Sequence, residues 1–384
     1  MKPIDSADRT QDYRVSGSTG GAIAAVGMAL LMLIGFALNL DRLFDNSTEL
    51  SASKNDLSHI LDGTASRDFA ADLAKVALPV EAARLQRAAS WLTLGDLGPK
   101  VREGCTNWLF LTDELMPHPD GETARLTRLN QVKKIEQILA NRQIRLIVAV
   151  VPDKSRIMSQ HLCSLKRPEG MTTRAADWVA QLKAAGVSAV DLSHPLSQSK
   201  QNTFLRTDTH WNLAGAAIAA QSVAIAAKAA SKEPLTPWQR LETAVQGSTL
   251  WPGDLVRLAG LDWLPTNLQP ASETVPELTF KNTSTSHPTD TPLSEDGLFG
   301  NNNMPTVTLI GSSFSRTSHF SDFLSQALET PVANLAKDGG GFSGAAHDYL
   351  QSSTFRETPP KVLIWEIPER DLETPLNNDK ALPL

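Results

Sequence analysis

The sequence predicts an α/β domain built on a parallel sheet flanked by helices, preceded by one transmembrane helix. Three observations carry this reading. Short apolar runs at residues 144–151, 187–192, 306–310, 331–335 and 362–367 read as buried strands. Helical patterns alternate with them, as βαβ units around a parallel sheet require. Residues 20–40, GGAIAAVGMALLMLIGFALNL, carry no charge and are long enough to span a bilayer as a helix.

The N-terminal run has two rival readings, a cleaved signal peptide and a buried core helix. A signal's apolar region is usually shorter and ends in a small-x-small cleavage site, and no convincing A-x-A follows directly. Lys2, Arg9 and Arg14 precede the span while Arg42 and Lys54 follow it, a balance that favours a cytoplasmic N-terminus. The expected organisation is therefore a cytoplasmic tail at 1–19, an anchor at 20–40, a tether and helical lead-in at 41–99, and a single α/β domain at 100–384.

Residues 41–66, rich in Asn, Ser and Asp, read as tether, and a helical region at 68–93 is expected to break near Pro79. Residues 124–142 place Leu129, Val132, Ile135, Ile138 and Leu139 on one helical face, feeding the strand at 144–151. Further helices are expected at 175–185, 318–328 and 343–349. The Ala-rich stretch 213–230 is interrupted by Gln221 and Lys228 and reads as a packed globular helix rather than a second span. Between 232 and 303 the chain turns rich in Pro, Ser, Thr and Asn, which predicts an irregular excursion beside the sheet.

A formal net charge of -6 leaves no electrostatic footprint for nucleic acid, whose phosphates need clustered Lys and Arg. The two cysteines, Cys105 and Cys163, permit one disulfide outside the cytoplasm; two unpaired buried thiols are the alternative. Their spacing suits no metal motif.

Two segments carry chemistry. Gly311-Ser312-Ser313-Phe314-Ser315 directly follows a strand and precedes a helix, where reactive groups gather in open α/β sheets. A glycine there lets the chain turn without a Cβ clash and present Ser313, although Ser313 or Ser315 could instead simply cap the helix. Thr207-Asp208-Thr209-His210-Trp211-Asn212 lies just before the Ala-rich helix. In extended backbone Asp208 and His210 point to the same side, offering a base for a serine hydroxyl and a carboxylate to orient it. The plainer alternatives are Asp208 as a helix cap and His210 as a surface residue. A metal site is disfavoured because no second His or Cys cluster lies at ligand spacing.

Taken together, TDTHWNLAGA and, roughly a hundred residues later, GSSFS resemble the SGNH-hydrolase-related family of alginate O-acetyltransferases, the AlgJ and AlgX type. The order Asp, His, Ser is permuted relative to ordinary SGNH esterases. NWLFL at 107–111, VVPDKSRI at 150–157, GDL at 253–255 and VLIWEIPERDL at 362–372 add weaker matches, so the resemblance spans residues 100–372 except about 256–303. It implies an SGNH-like fold, a Ser313 nucleophile, a His210 base and an Asp208 orienting carboxylate, with no cofactor. It further implies a periplasmic enzyme on the inner membrane, a polysaccharide acceptor, and a multi-pass membrane O-acyltransferase as acetyl donor. AlgX-type proteins carry a C-terminal carbohydrate-binding module; the chain ends soon after Arg370 and so resembles the anchored AlgJ type.

Gly340 and Gly341, with the Ser313 amide, are expected around a tetrahedral oxyanion, unless the glycines only form a tight turn. Arg316 and His319 are expected to line the cleft. Arg370 is expected either to contact substrate or to pair with Glu366 at a strand end, and Lys154 to be a surface charge. Two rival functions stand beside transfer to a sugar: an acetylesterase using the same three residues, and a non-catalytic polysaccharide-binding component of an export complex.

Overall fold

A computed structural model of the chain describes residues 19–44, 61–73, 77–231, 233–284 and 304–383. The segments expected as cytoplasmic tail, most of the tether and the end of the excursion (1–18, 45–60 and 285–303) lie outside the described residues. The chain divides into two compact units, Met1–Ala89 and Ser90–Leu384.

The first unit opens with helix α1 (Thr19–Phe44), which contains the apolar stretch Gly21–Ala37. Its side chains are bare: Ile23, Met28, Leu33 and Phe36 are all exposed. An exposed helix apolar on all sides has no aqueous core to join, so its surface calls for another cover. Helix α2 (Thr64–Leu73) and helix α3 (Ala77–Leu94) follow. The helical region is two helices, α2 ending at Leu73 and α3 starting at Ala77, with residues 74–76 outside the described residues; Pro79 occupies the first turn of α3, where an amide donor would have no intrahelical partner to lose.

In the second unit a short antiparallel pair, β1 (Val101–Glu103) and β2 (Leu109–Leu111), precedes helix α4 (Gly121–Asn141) and strand β3 (Arg145–Val151). Helix α5 (Arg174–Ala184), strand β4 (Ser188–Asp191) and helix α6 (Leu213–Ala230) come next. A two-stranded ribbon, β5 (Leu241–Trp251) with β6 (Glu273–Asn282), leads to strand β7 (Val307–Ile310). Helix α7 (Phe320–Leu328), strand β8 (Val332–Asn334), helix α8 (Gly344–Leu350) and strand β9 (Val362–Pro368) complete the fold.

Five strands form one wholly parallel sheet in the order β4-β3-β9-β7-β8. Because successive side chains in a strand alternate sides, Ile147, Ala149, Leu309 and Ile364 join one core with α6 and α7. Leu146, Val148, Leu363 and Trp365 join the other with α4, α5 and α8. Helices on both faces explain why the strands read as continuous apolar runs rather than alternating ones. Helix α6 is long and apolar enough to cross a membrane, yet Ala216, Ala219, Ala220, Val223 and Ala227 bury one face against the sheet.

Within the described part of the expected irregular excursion, residues 233–284, the chain forms a regular ribbon. β5 and β6 pair antiparallel from Leu241↔Asn282 to Trp251↔Glu273, with a register shift between Val245 and Gly247. Most of the ribbon is exposed, with Val275, Leu278 and Phe280 of β6 only partly buried, so little apolar patterning was imposed on it, and Pro276 is tolerated because a two-stranded ribbon is all edge.

Candidate active site

The serine turn sits at the carboxyl end of β7. Gly311 is required by close approach: a Cβ there would lie 2.6 Å from Glu366 Oε2 and 2.8 Å from the Glu366 carbonyl on the neighbouring β9. Ser312 caps the following 3-10 turn by accepting from the Phe314 amide. Ser315 donates to Glu366 Oε2 at 3.0 Å. Capping and anchoring thus fall to the two flanking serines, and the half-buried Ser313 hydroxyl is left facing His210.

His210 arrives from the loop ahead of α6, whose own N-cap is Asn212, accepting from the Gly215 amide at 3.0 Å. Residues 206–210 are not extended as expected; the chain bends through them, and Asp208 Oδ1 accepts both the His210 amide at 3.0 Å and His210 Nδ1 at 2.6 Å. An Asx-type turn, rather than the two-residue period of a strand, brings the carboxylate under its own histidine. On the far side of the ring, His210 Nε2 lies 2.7 Å from Ser313 Oγ across 103 residues of sequence. Phe314 packs edge-on to the imidazole at 4.8 Å between centroids.

The second carboxylate oxygen of Asp208 is held from the base of the ribbon. The indole N–H of Trp251 donates to Oδ2 at 2.8 Å and the Asp254 amide at 3.0 Å. Burial alone pushes the Asp208 carboxyl up. The hydrogen bonds and charge of His210, with the Trp251 indole, reverse that and hold it well below the usual carboxylate range. Between them Gly253 has φ +84°, and a Cβ on it would meet the Thr207 carbonyl at 2.1 Å, so only glycine lets this segment close on the loop.

Asp254 in turn accepts from the Thr209 amide at 2.7 Å and the Thr209 hydroxyl at 2.6 Å. Burial and the nearby Asp208 charge push its carboxyl up. Asp208, His210 and Asp254 are close enough together to ligate a cation, but their donor atoms are turned on one another and on Thr209. Neither Trp251 nor Asp254 is reached by the sequence reading; the weak GDL match at 253–255 was the available signal.

Beneath the loop, Lys154 is buried rather than a surface charge. Its ammonium donates to the carbonyls of Leu109, Arg206 and Asp208 at 2.6, 2.8 and 2.9 Å. Burial lowers it to about 8, against the opposing pull of Glu114 and Asp208. Glu366 binds the Ser312 amide and hydroxyl and is pushed by burial to about 7. Arg370 pairs with Glu114 at 3.5 Å, not with Glu366, and its guanidinium lies over the Phe314 ring at 5.3 Å. Further along the same sheet edge, Glu369 accepts from Arg156, Arg167 and Arg174, which outweigh burial and keep it ionised.

Ser313, His210 and Asp208 open onto a cleft of about 1170 Å³. Arg316 lines it and pairs with Asp338 at 3.4 Å. His319 does not; it pairs with Asp322 and packs on Phe280, beside a separate cavity of about 240 Å³. The Gly340 amide is committed to the Lys337 carbonyl at 3.2 Å, and of the three glycines Gly339, rather than Gly340 or Gly341, reaches the cleft. The glycine run is therefore a turn at the rim. Cys105 and Cys163 are joined by a disulfide, S–S 2.08 Å.

Residues 101–369 match the family model described as the SGNH hydrolase-like domain of the acetyltransferase AlgX. The chain is 30% identical over 357 residues to the probable alginate O-acetylase AlgJ of Pseudomonas aeruginosa, covering 91% of this chain and 88% of that protein. It is 35% identical over 287 residues to the protein of the same name from Pseudomonas putida, covering 73% and 72%. The solved O-acetyltransferase domain of Pseudomonas putida AlgJ aligns with TM-score 0.62 at 30% identity, covering 72% of this chain and 93% of that one. Pseudomonas aeruginosa AlgX aligns with TM-score 0.55 at 21% identity, covering 73% and 68%, a likeness of fold. An SGNH-like sheet and a family match over most of its length thus identify the chain as a member of the SGNH hydrolase-like acetyltransferase family of AlgX, and as an acyltransferase.

Proposed function

We propose that this protein is a serine-dependent O-acetyltransferase that acetylates an exopolysaccharide from the periplasmic side of the inner membrane. The observation that carries the reading is the relay Ser313 Oγ, His210 Nε2 at 2.7 Å, and Asp208 Oδ1 at 2.6 Å from His210 Nδ1. In the first half-reaction Ser313 Oγ attacks the acetyl carbonyl while His210 Nε2 takes its proton. The carbon–oxygen bond to the donor then breaks, and the proton returns to the leaving group. In the second, a sugar hydroxyl gives its proton to His210 Nε2 and attacks the acyl carbon; the bond to Ser313 Oγ breaks and His210 returns the proton to the released serine. Asp208 keeps Nδ1 as the donor, so Nε2 is the nitrogen that accepts.

Helix α1, apolar and exposed over Gly21–Ala37, supports a single-pass anchor with the second unit in the periplasm. The names of the AlgJ relatives support an alginate-like polymer as acceptor. A multi-pass membrane O-acyltransferase is the fitting acetyl donor, because an acetyl group made in the cytoplasm must cross the bilayer to reach this site. The cleft is open enough for water to compete as acceptor, so slow ester hydrolysis should accompany transfer.

The test is covalent trapping of the full-length chain in detergent. A sulfonyl fluoride or fluorophosphonate probe should add one adduct, on Ser313, and Ser313→Ala should abolish both labelling and transfer while leaving the unfolding midpoint within a degree or two. Transfer that persists in Ser313→Ala would overturn the reading.

A further inference from the structure

The ribbon base does two things at once, and both involve Trp251. Trp178, Trp211 and Trp365, which pack in the cores of the sheet, are fully buried. Trp251 is 39% exposed and lines the cleft beside His210 and Ser313. At the same time its N–H is spent on a buried carboxylate, Asp208 Oδ2, at 2.8 Å. An indole combines an apolar ring and a polar edge; here the edge holds the orienting carboxylate and the ring is left to the cleft.

We infer that Trp251 is the acceptor platform of this enzyme, a surface on which a pyranose ring of the polysaccharide stacks, and that the same residue positions Asp208. A pyranose presents a patch of C–H groups on one face and hydroxyls around its edge. The indole offers an apolar surface for the face. Around it the cleft supplies polar groups for the edge: Arg257 and Asp262 from the segment that links the two ribbon strands, and the Arg316–Asp338 pair. A sugar stacked on Trp251 lies beside the His210–Ser313 pair, where one of its hydroxyls can give its proton to His210 Nε2.

Seating the acceptor is thereby tied to the catalytic base. Asp208 Oδ2 has two donors, the Trp251 indole and the Asp254 amide, both from the ribbon base. Acceptor packed against the indole restrains the donor that restrains the carboxylate. Trp251 therefore acts on the first half-reaction through Asp208 and on the second by touching the sugar.

The inference rests on the acyl-enzyme reading, and the two are separable because the first half-reaction can be followed without any sugar. Full-length enzyme in detergent is assayed with 4-nitrophenyl acetate as donor, alone and with cellohexaose or a mannuronate hexamer as acceptor. Trp251→Phe keeps an aromatic face but loses the N–H. It should slow ester turnover about tenfold, the scale of one hydrogen bond to a charged group, with acceptor KM within twofold of the parent. Trp251→Ala should show the same loss on the ester and, in addition, an acceptor KM raised at least tenfold. In Ser313→Ala, which cannot turn over, the oligosaccharide should change the intrinsic fluorescence, and adding Trp251→Phe should remove that change although seven of the eight tryptophans remain. Acceptor KM values that match in parent, Phe and Ala variants would overturn the platform. So would an enzyme that turns over the ester yet acetylates neither hexamer. An unchanged ester rate in Trp251→Phe would overturn the positioning role. Failure of the parent itself to turn over ester or label at Ser313 would instead defeat the acyl-enzyme reading.

Discussion

Strands β9 and β5 run in the same unit and both lead to the active site, but they are stabilised by different physics. All seven residues of β9 are buried between two helical layers, whereas ten of the eleven residues of β5 are exposed and, among the described residues, its only strand partner is β6. The sheet side holds the site by burial and charge: Glu366 under the serine turn and Lys154 under the Asp208 loop. The ribbon side holds it by two hydrogen bonds at its base, from Trp251 and Asp254, with Gly253 between them allowing the close approach to the loop. A single site is thus gripped by one rigid wall and one lightly built arm. Disturbing the wall should cost stability first, and disturbing the arm should cost activity first.

The largest effect is expected at Lys154. Lys154→Met conserves volume but leaves the carbonyls of Leu109, Arg206 and Asp208 without their shared buried donor. Stability should fall by roughly 4 kcal/mol in urea unfolding. A loss below about 1 kcal/mol would mean that water replaces the ammonium and that the wall is softer than described.

Glu366 makes the wall sensitive to pH. Burial raises its carboxyl from 4.5 to about 7, so between those values the folded chain binds a proton that the unfolded chain has released. Its contribution to stability is therefore fully present below about pH 4.5 and is lost as pH rises through about 7, a change of up to roughly 3 kcal/mol. Glu366→Gln cannot titrate, so the variant should gain on the parent as pH is raised from 4.5 to 7.5. Parallel stability profiles would show that Glu366 is ionised throughout.

These contrasts explain what could be read in the sequence. The wall was legible because a strand buried on both faces must be an apolar run, and helices covering it must carry an apolar stripe. The serine and D-x-H segments were legible because each is continuous in sequence. Gly340 misled because a glycine run signals tight turning without saying which amides remain free, and the Gly340 amide is taken by Lys337. Lys154 was read as surface because nothing local marks a lysine whose three partners come from the Leu109, Arg206 and Asp208 backbones. The ribbon escaped the sequence reading because a mostly exposed two-stranded arm, with only Val275, Leu278 and Phe280 of β6 partly buried among its apolar side chains, carries too little core to impose a pattern.

On the arm, Gly253→Ala should act mainly on catalysis. Alanine at φ +84° with its Cβ driven toward the Thr207 carbonyl costs roughly 1–3 kcal/mol, which the exposed ribbon can relieve by shifting away. That shift carries the Trp251 and Asp254 donors off Asp208. The transfer rate should drop at least tenfold while the unfolding midpoint moves only a few degrees. An equal loss of both would place Gly253 in the wall rather than the arm.

The smallest effect provides the closest comparison, because the same substitution is made in both kinds of strand. Val148 on β3 is fully buried, in the core that includes Trp178 and Trp365, while Val245 on β5 is 70% exposed. Val148→Ala removes two methyl groups from a packed layer and should cost roughly 2 kcal/mol, with transfer unchanged at temperatures where the variant is folded. Val245→Ala removes the same atoms from water and should fall within about 0.5 kcal/mol of the parent, again with transfer unchanged, because the bond-making end of the ribbon lies at Trp251. If Val245→Ala left isolated enzyme unaltered but lowered polysaccharide acetylation in whole cells, the exposed ribbon face would have to be covered there by something absent from the purified chain. The arm would then be lightly built because part of its support comes from outside the molecule.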